Sequence, residues 1–232
     1  SYIPFGVLYV LSDCLFYPLY YIVRYRRKVV RRNLTESFPE KSEQEIKRIE
    51  KGFYRFFTDQ VLESCKMMTI SPEEITRRMK FANVEAANAV FRKGKSIALY
   101  MGHYGNWEWV PSIPLCLEKN VMAVQIYHKL SNENMDRLML NNRERLGAIS
   151  VEMRKTARFI TDMVQNGKVG IVGFIADHSP RKKDARHFLS FLNHDAPVLT
   201  GTEKIIKHYD FEAWFLKVKR IKRGYYEACK SS

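Results

Sequence analysis

His103 is the residue of this chain best placed to move a proton. It sits in Gly102-His103-Tyr104-Gly105-Asn106-Trp107-Glu108, directly behind the apolar run Ile97-Ala98-Leu99-Tyr100-Met101. An imidazole with a carboxylate on one ring nitrogen takes a proton from a hydroxyl with the other, so the pairing to look for is His103 with Glu108. On an ideal helix the two would stand about 140° apart and out of reach. Gly102 and Gly105 permit a bend, from which Glu108, in a first helical turn, can reach back to Nδ1 and leave Nε2 as the base. His128 and Glu133 repeat the spacing, and composition alone supplies roughly 0.65 such pairs. What sets His103 apart is its place between glycines at a strand end, where α/β proteins gather ligands.

A second strand end has the same character: Val169 to Ile175 runs into Ala176-Asp177-His178-Ser179-Pro180. Behind it Arg181-Lys182-Lys183 and Arg186 form a basic stretch suited to a lipid phosphate. Thr200-Gly201-Thr202, ahead of Glu203-Lys204-Ile205-Ile206, either offers helix-start N–H groups to a phosphate or simply caps the helix. No metal site is expected, because Cys14, Cys65, Cys116 and Cys229 lie far apart with no C-x-x-C pair and no H-E-x-x-H is present. The same cysteine usage gives no disulfide framework and suits a reducing, cytosol-facing compartment.

The elements that must hold these residues follow from periodicity. From Asn83 onward helices and strands alternate: a helix ending at Gly94, a strand over Ile97–Met101, a helix from about Asn106, and a strand over Val121–Tyr127. Then come a polar helix over Glu133–Leu146, a helix closing at Gly167, a strand over Val169–Ile175, a short helix from about Thr202 and a strand over Trp214–Val218. Ahead of them, Ile46, Ile49, Phe53, Phe57, Val61, Cys65 and Met68 recur with helical period behind the capping box Ser42-x-x-Glu45, and Pro72 opens a further helix. The class is α/β with a helical lead-in. The aromatic cluster Phe53, Tyr54, Phe56 and Phe57 reads first as core.

Tyr2 to Val23 is almost wholly apolar, broken by Ser12, Asp13 and two prolines, Pro4 and Pro18; Arg24–Arg32 behind it carries six basic residues. A bilayer span needs about 20 apolar residues, so this stretch is marginal, and a segment lying in the interface fits better than a clean span. A buried amphipathic helix with a solvated basic face is the alternative. The net charge of +14 calls for a polyanionic partner: nucleic acid, anionic lipid or an acidic carrier protein. No helix-turn-helix, zinc or RNA-binding signature is present, which sets nucleic acid aside. With 46% apolar residues and few glycines and prolines, disordered and low-complexity classes are excluded.

Taken in order, HYGNWE at 103–108, FIADHSP at 174–180 and FLNHDAPVLTGTEKIIK at 191–207 resemble the lysophospholipid acyltransferase superfamily and, more narrowly, its lipid A late-acyltransferase branch. The similarity covers roughly Ser96 to Tyr226, and Arg32-Asn33-Leu34 and Phe38-Pro39-Glu40 fit the same branch. The resemblance implies a mixed, mostly parallel sheet flanked by helices, as in glycerolphosphate acyltransferases, with an N-terminal membrane-associated helical segment. It divides the chain into an anchor over residues 1–32 with its basic flank and an acyltransferase domain over 33–232, of which 33–80 is helical lead-in and 81–232 the α/β core. By the same resemblance His103 is the base and Glu108 its orienting carboxylate, Asn106 and Trp107 shape the turn and the acyl-chain wall, and Asp177 matches the acid that ends the later strand. His178 stands where Gln or His is usual. The family places a basic residue after the tyrosine ending the next strand; here Tyr127 is followed by His128 and Lys129, which leaves Lys129 and Arg143 as candidates for the stabilising cation.

The implied reaction moves a fatty acyl chain from an acyl carrier protein or coenzyme A thioester to a hydroxyl of a lipid A precursor, with no metal or other cofactor. It takes place on the cytoplasmic face of a Gram-negative inner membrane and leans on an anionic membrane surface, with Arg181, Thr200 and Gly201 as candidate phosphate contacts. Acylation of a lysophospholipid or aminolipid by the same chemistry, and a non-enzymatic module that binds anionic lipid, are the alternatives.

Overall fold

The computed structural model describes residues 2–180, 185 and 187–231. Its strands are β1 (Met79–Phe81), β2 (Ile97–Met101), β3 (Met122–Tyr127), β4 (Ile149–Glu152), β5 (Gly170–Ile175), β6 (His187–Phe191), β7 (His194–Val198), β8 (Glu212–Lys222) and β9 (Tyr225–Ser231). Its α-helices are α1 (Phe5–Tyr17), α2 (Arg27–Ser37), α3 (Glu43–Lys66), α4 (Pro72–Arg78), α5 (Val84–Arg92), α6 (Glu133–Glu144), α7 (Thr156–Gln165) and α8 (Gly201–Tyr209). Two compact units result: one holds the residues up to Thr69 together with the stretch ending at Val198, the other Ile70–Pro180 and the residues from Leu199 onward.

The second unit is built on a seven-stranded sheet of order β1-β9-β8-β2-β5-β3-β4. Every neighbouring pair is parallel except β8–β9, which is the mixed, mostly parallel sheet expected. The strand period of two divides its central residues cleanly. Ala98, Val124, Val172 and Phe174 point to one face, where Ile160 and Met163 of α7 and Ile205 and Ile206 of α8 cover them. Leu99, Met101, Ile171, Gly173 and Ile175 point to the other, where they line a cavity. The strands β1, β4 and β9 go beyond the sequence reading. β4 and β9 alternate in type but are short or polar, and β1 is only three residues long.

The helix expected from about Asn106 is instead a 3₁₀ helix, Trp107–Leu115. Pro111 and Pro114 lie inside it, and each removes an N–H that an α-helical ladder would need.

In the first unit α3 begins at the capping box foreseen, with Ser42 accepting from the Glu45 N–H and Glu45 accepting from the Ser42 N–H. One face of α1 (Leu8, Ser12, Phe16) and Tyr20, in the π-helical turn Pro18–Val23 that follows, is buried, and α3 meets this face with acids. Tyr9 donates to Glu63 (2.8 Å), Ser12 to Asp59 (2.7 Å) and Tyr20 to Glu50 (2.7 Å). The outer face, with Val7, Val10, Leu11, Leu15, Ile22 and Val23, is exposed. By length and composition Phe5–Val23 suffices to cross a membrane, with mean hydropathy 1.4.

The basic run does not all face outward. Arg27 and Arg31 turn inward and both donate to the fully buried Glu50, whereas Arg24, Arg26, Lys28 and Arg32 are exposed. β6 and β7 form a separate two-stranded ribbon in this unit.

Candidate active site

Strand register brings the site together. β2 and β5 are parallel neighbours with Met101 opposite Ile175, and the pairing runs one step further through Ala176 N–H to the Met101 carbonyl (3.0 Å). His103 and Asp177 each follow two residues behind that matched pair, so they leave the sheet side by side although 74 positions separate them in the chain. Asp177 holds His103 with both oxygens: Oδ2 accepts from the His103 backbone N–H and Oδ1 meets the ring at Nδ1, each at 2.7 Å. Gly102 permits this approach, because a Cβ there would lie 3.1 Å from Asp177 Oδ2. Gly105 makes the turn that follows, at φ +63°, and a Cβ there would stand 2.7 Å from the Val218 carbonyl oxygen.

The Asp177 carboxyl is pushed upward by partial burial, but the backbone N–H and ring of His103 outweigh this and hold it below the ordinary aspartate value. At neutral pH it is therefore an ionised acceptor. An ionised carboxylate only accepts, so the ring proton is directed to Nδ1, and the neutral imidazole then carries its lone pair on Nε2, the form a general base needs.

Here the expected pairing is corrected. Glu108, in the first turn of the 3₁₀ helix, does not hold Nδ1 of His103, since Asp177 occupies that position. Glu108 instead forms a two-pronged ion pair with Arg143 of α6, at 2.7 and 3.1 Å, both side chains being mostly buried. Trp107 links the two pairs: its ring meets His103 edge-on at 4.7 Å, and the Arg143 guanidinium lies 5.6 Å from its centroid. His178 stacks on His103, with centroids 4.2 Å apart and planes 17° from parallel. Asn106 is fully buried at the start of the 3₁₀ helix, its carbonyl accepting from the Trp109 N–H.

From His103 an apolar cavity of about 420 Å³ runs beneath the sheet. Leu99, Met101, Ile171, Gly173 and Ile175 form its roof, while Trp107, Val110, Met139, Leu140 and Met153 close the other sides; Arg143 and His178 share its mouth with His103.

The remaining candidates fall elsewhere. Lys129 is exposed and does not line the cavity, although His128 and Leu130 on either side of it do. Thr200 precedes α8 without a side-chain cap, Gly201 is its first residue, and neither lines the cavity. Arg181, with Lys182, Lys183 and Arg186, lies outside the described residues. The sequence marks both strand ends but not that β2 and β5 are neighbours, so the Met101–Ile175 register that pairs His103 with Asp177 comes from the fold alone; Gly173 carries no sequence signal beyond being a glycine inside a strand.

Among the described residues, His103, Asp177 and His178 also form one group of potential metal ligands, with atoms within 4.8 Å of one another. Each Asp177 oxygen accepts one hydrogen bond from His103, an arrangement able to orient the imidazole for proton transfer. Comparison with curated proteins finds no significant match. The family model described as bacterial lipid A biosynthesis acyltransferase matches residues 2–229, nearly the whole chain, and a carboxylate-held histidine at the mouth of an apolar cavity suits acyl transfer: the protein belongs to this family of acyltransferases.

Proposed function

We propose that the protein transfers a fatty acyl chain from an acyl carrier protein or coenzyme A thioester to a hydroxyl of a lipid A precursor, with His103 as general base. The observation that carries this reading is the apolar cavity that opens at the Asp177-held imidazole. The acyl chain lies in the cavity and places its thioester carbonyl at the mouth. His103 Nε2 takes the proton of the acceptor hydroxyl, the oxygen forms a bond to the carbonyl carbon, and a tetrahedral oxyanion results. As it collapses the C–S bond breaks, and the imidazolium returns its proton to the departing thiolate. Arg143 has N–H donors left beyond the pair it gives Glu108, and supplies positive charge at the mouth. The test is direct: purified protein, a lipid A precursor and an acyl thioester are expected to yield, by mass spectrometry, the precursor heavier by one acyl chain.

The net charge of +14 favours the more acidic donor. Acyl carrier protein thioesters are expected to exceed the matching coenzyme A thioesters in kcat/KM, with the gap narrowing as salt rises. Equal use of both donors at low salt would defeat this.

Gly173 tests the cavity itself. Its Cα faces the cavity, and an added Cβ would find only ordinary contacts, 3.5 Å to the Val124 carbonyl oxygen and 4.0 Å to Met101 Sδ. Gly173→Leu is therefore expected to leave the sheet intact, fill the cavity and shorten the preferred chain. The longest donor used by the wild type should lose about tenfold or more in kcat/KM relative to shorter ones. An unchanged chain-length profile would place the acyl chain elsewhere.

Residues 1–32 anchor the enzyme, and we read the anchor as lying in the membrane interface. α1 is hydrogen-bonded along its length to α3, which carries Lys51, Arg55, Asp59 and Glu63 over the same stretch. Drawing them to the bilayer centre would cost about 2.5–3.5 kcal/mol for each central charge. An interfacial position leaves the polar contacts intact and still buries the outer face of α1 in lipid. The cytoplasmic face of the inner membrane is the setting that the acyl donors require.

A further inference from the structure

We infer that the β6–β7 ribbon is a second membrane-inserting element, separate from the N-terminal anchor; the inference rests on the reading of the enzyme as working at a lipid surface. Four large apolar side chains run along the first strand of the ribbon and into its turn: Phe188, Leu189, Phe191 and Leu192 are 56%, 62%, 64% and 42% exposed. Because strand residues alternate, Phe188 lies on one face, and Leu189 and Phe191 on the other. Every residue of β6 is exposed, so neither face of this strand is covered by the described residues. A lone two-stranded ribbon is marginal in water, and this one presents its apolar groups on both sides.

The turn adds a second observation. β6 and β7 are joined by Leu192-Asn193, both in the left-handed region at φ 49° and 63°. This is the tight hairpin turn that glycine, asparagine and aspartate adopt with ease. A leucine at the first position is held there against its own backbone preference, which places a bulky apolar side chain at the tip of the ribbon.

The charge around the ribbon selects lipid over protein. Asn193 donates to the Ser37 carbonyl (3.4 Å), and His194 lies 3.9 Å from Glu36, which fixes the turn to the end of the basic helix α2 with its exposed Lys28 and Arg32. A protein partner would cover one face of a ribbon. A fluid apolar medium bordered by anionic headgroups covers both faces and meets the cations at its edge.

The test uses the full chain with its four cysteines changed to serine and a single cysteine returned, carrying an environment-sensitive fluorophore: Phe188→Cys, Leu189→Cys, or the native exposed Cys14 of α1. Vesicles of phosphatidylethanolamine and phosphatidylglycerol are added. The labels at 188 and 189 are both expected to shift to apolar emission and to be quenched by lipids brominated in the acyl chain. In unlabelled protein, Phe188→Ser with Leu189→Ser and Phe191→Ser is expected to weaken vesicle binding about tenfold or more. If the label at Cys14 enters lipid while those at 188 and 189 stay aqueous, the ribbon proposal falls and the anchor stands. If the ribbon labels enter lipid and Cys14 does not, the proposal stands and the anchor falls. A shift at one face only, without lipid and rising with protein concentration, would identify a second copy of the chain as the occupant and overturn the proposal.

Discussion

Asp177→Asn is expected to reduce turnover about as severely as His103→Ala, by about 10²–10⁴-fold, in a protein that remains folded. The two residues act as one unit. Asp177 accepts from both the backbone and the ring of His103, and an asparagine in its place would offer an N–H to Nδ1, favour the wrong tautomer and spoil Nε2 as a base. Glu108→Gln should cost less, because its contact is with Arg143 and the amide keeps one acceptor for the guanidinium. Steady-state kinetics on the three variants, with circular dichroism to check folding, decide the order. A Glu108→Gln loss equal to that of Asp177→Asn would give Glu108 a direct part in the proton transfer, and a near-normal His103→Ala enzyme would sink the mechanism. The carboxyl of Asp177 is held below its ordinary value, so its contribution to folding is present above the ordinary aspartate pKa and is lost as pH falls through the lowered one.

The second large effect is structural. Replacing Arg27 and Arg31 together by alanine leaves the Glu50 carboxylate, fully buried, with the Tyr20 hydroxyl in place of two guanidinium groups. Breaking a buried ion pair from one side typically costs about 3–5 kcal/mol, because a charge is left in a poor solvent. Denaturant unfolding of the double variant should show a loss of this size in the unit that holds α1–α3. Exchanging all three residues for apolar ones of similar volume should recover most of it, since the lone charge and not the missing pair carries the penalty. Burial pushes the Glu50 carboxyl up, but Arg31, Tyr20 and Arg27 outweigh it and hold the group below its ordinary value. Its stabilisation is therefore present above the ordinary glutamate pKa and disappears as acid protonates the folded-state group. Equal stability of wild type and double variant at neutral pH would show that the carboxylate finds water.

These two sites mark how far the sequence could be read. The strands that carry chemistry announce themselves as apolar runs ending in glycine, alanine or a polar cluster, and Ile97–Met101 and Gly170–Ile175 lie within one residue of where the pattern put them. His103 and Asp177 were both visible as strand-end residues. Their partnership was not, because a pattern of types says nothing about which strands are neighbours, and local spacing pointed to Glu108. The 3₁₀ helix at Trp107–Leu115 explains the difference: two internal prolines were legible, but their effect on the direction of Glu108 was not. The basic run behind the anchor misled in a similar way. Arginines at 27 and 31 are one helical turn apart and share a face, yet only the buried Glu50 on α3 turns that face inward. The ribbon escaped notice because His187–Phe191 and His194–Val198 mix polar and apolar residues without a solvent face to betray a strand.

The pairing of β2 with β5 also governs when in its life the chain becomes an enzyme. The two halves of the proton-transfer pair are 74 positions apart and meet only through parallel strand alignment, a distant contact that forms slowly and late. A nascent chain that has reached His103 holds an imidazole without its carboxylate and an apolar face without the strand that roofs the cavity. Acyl transfer can begin only once synthesis has passed Asp177 and the sheet has zipped in register. A slip of one residue would send His103 and Asp177 to opposite sides of the sheet. Turnover would thus report on correct assembly, with misaligned or unfinished copies inactive.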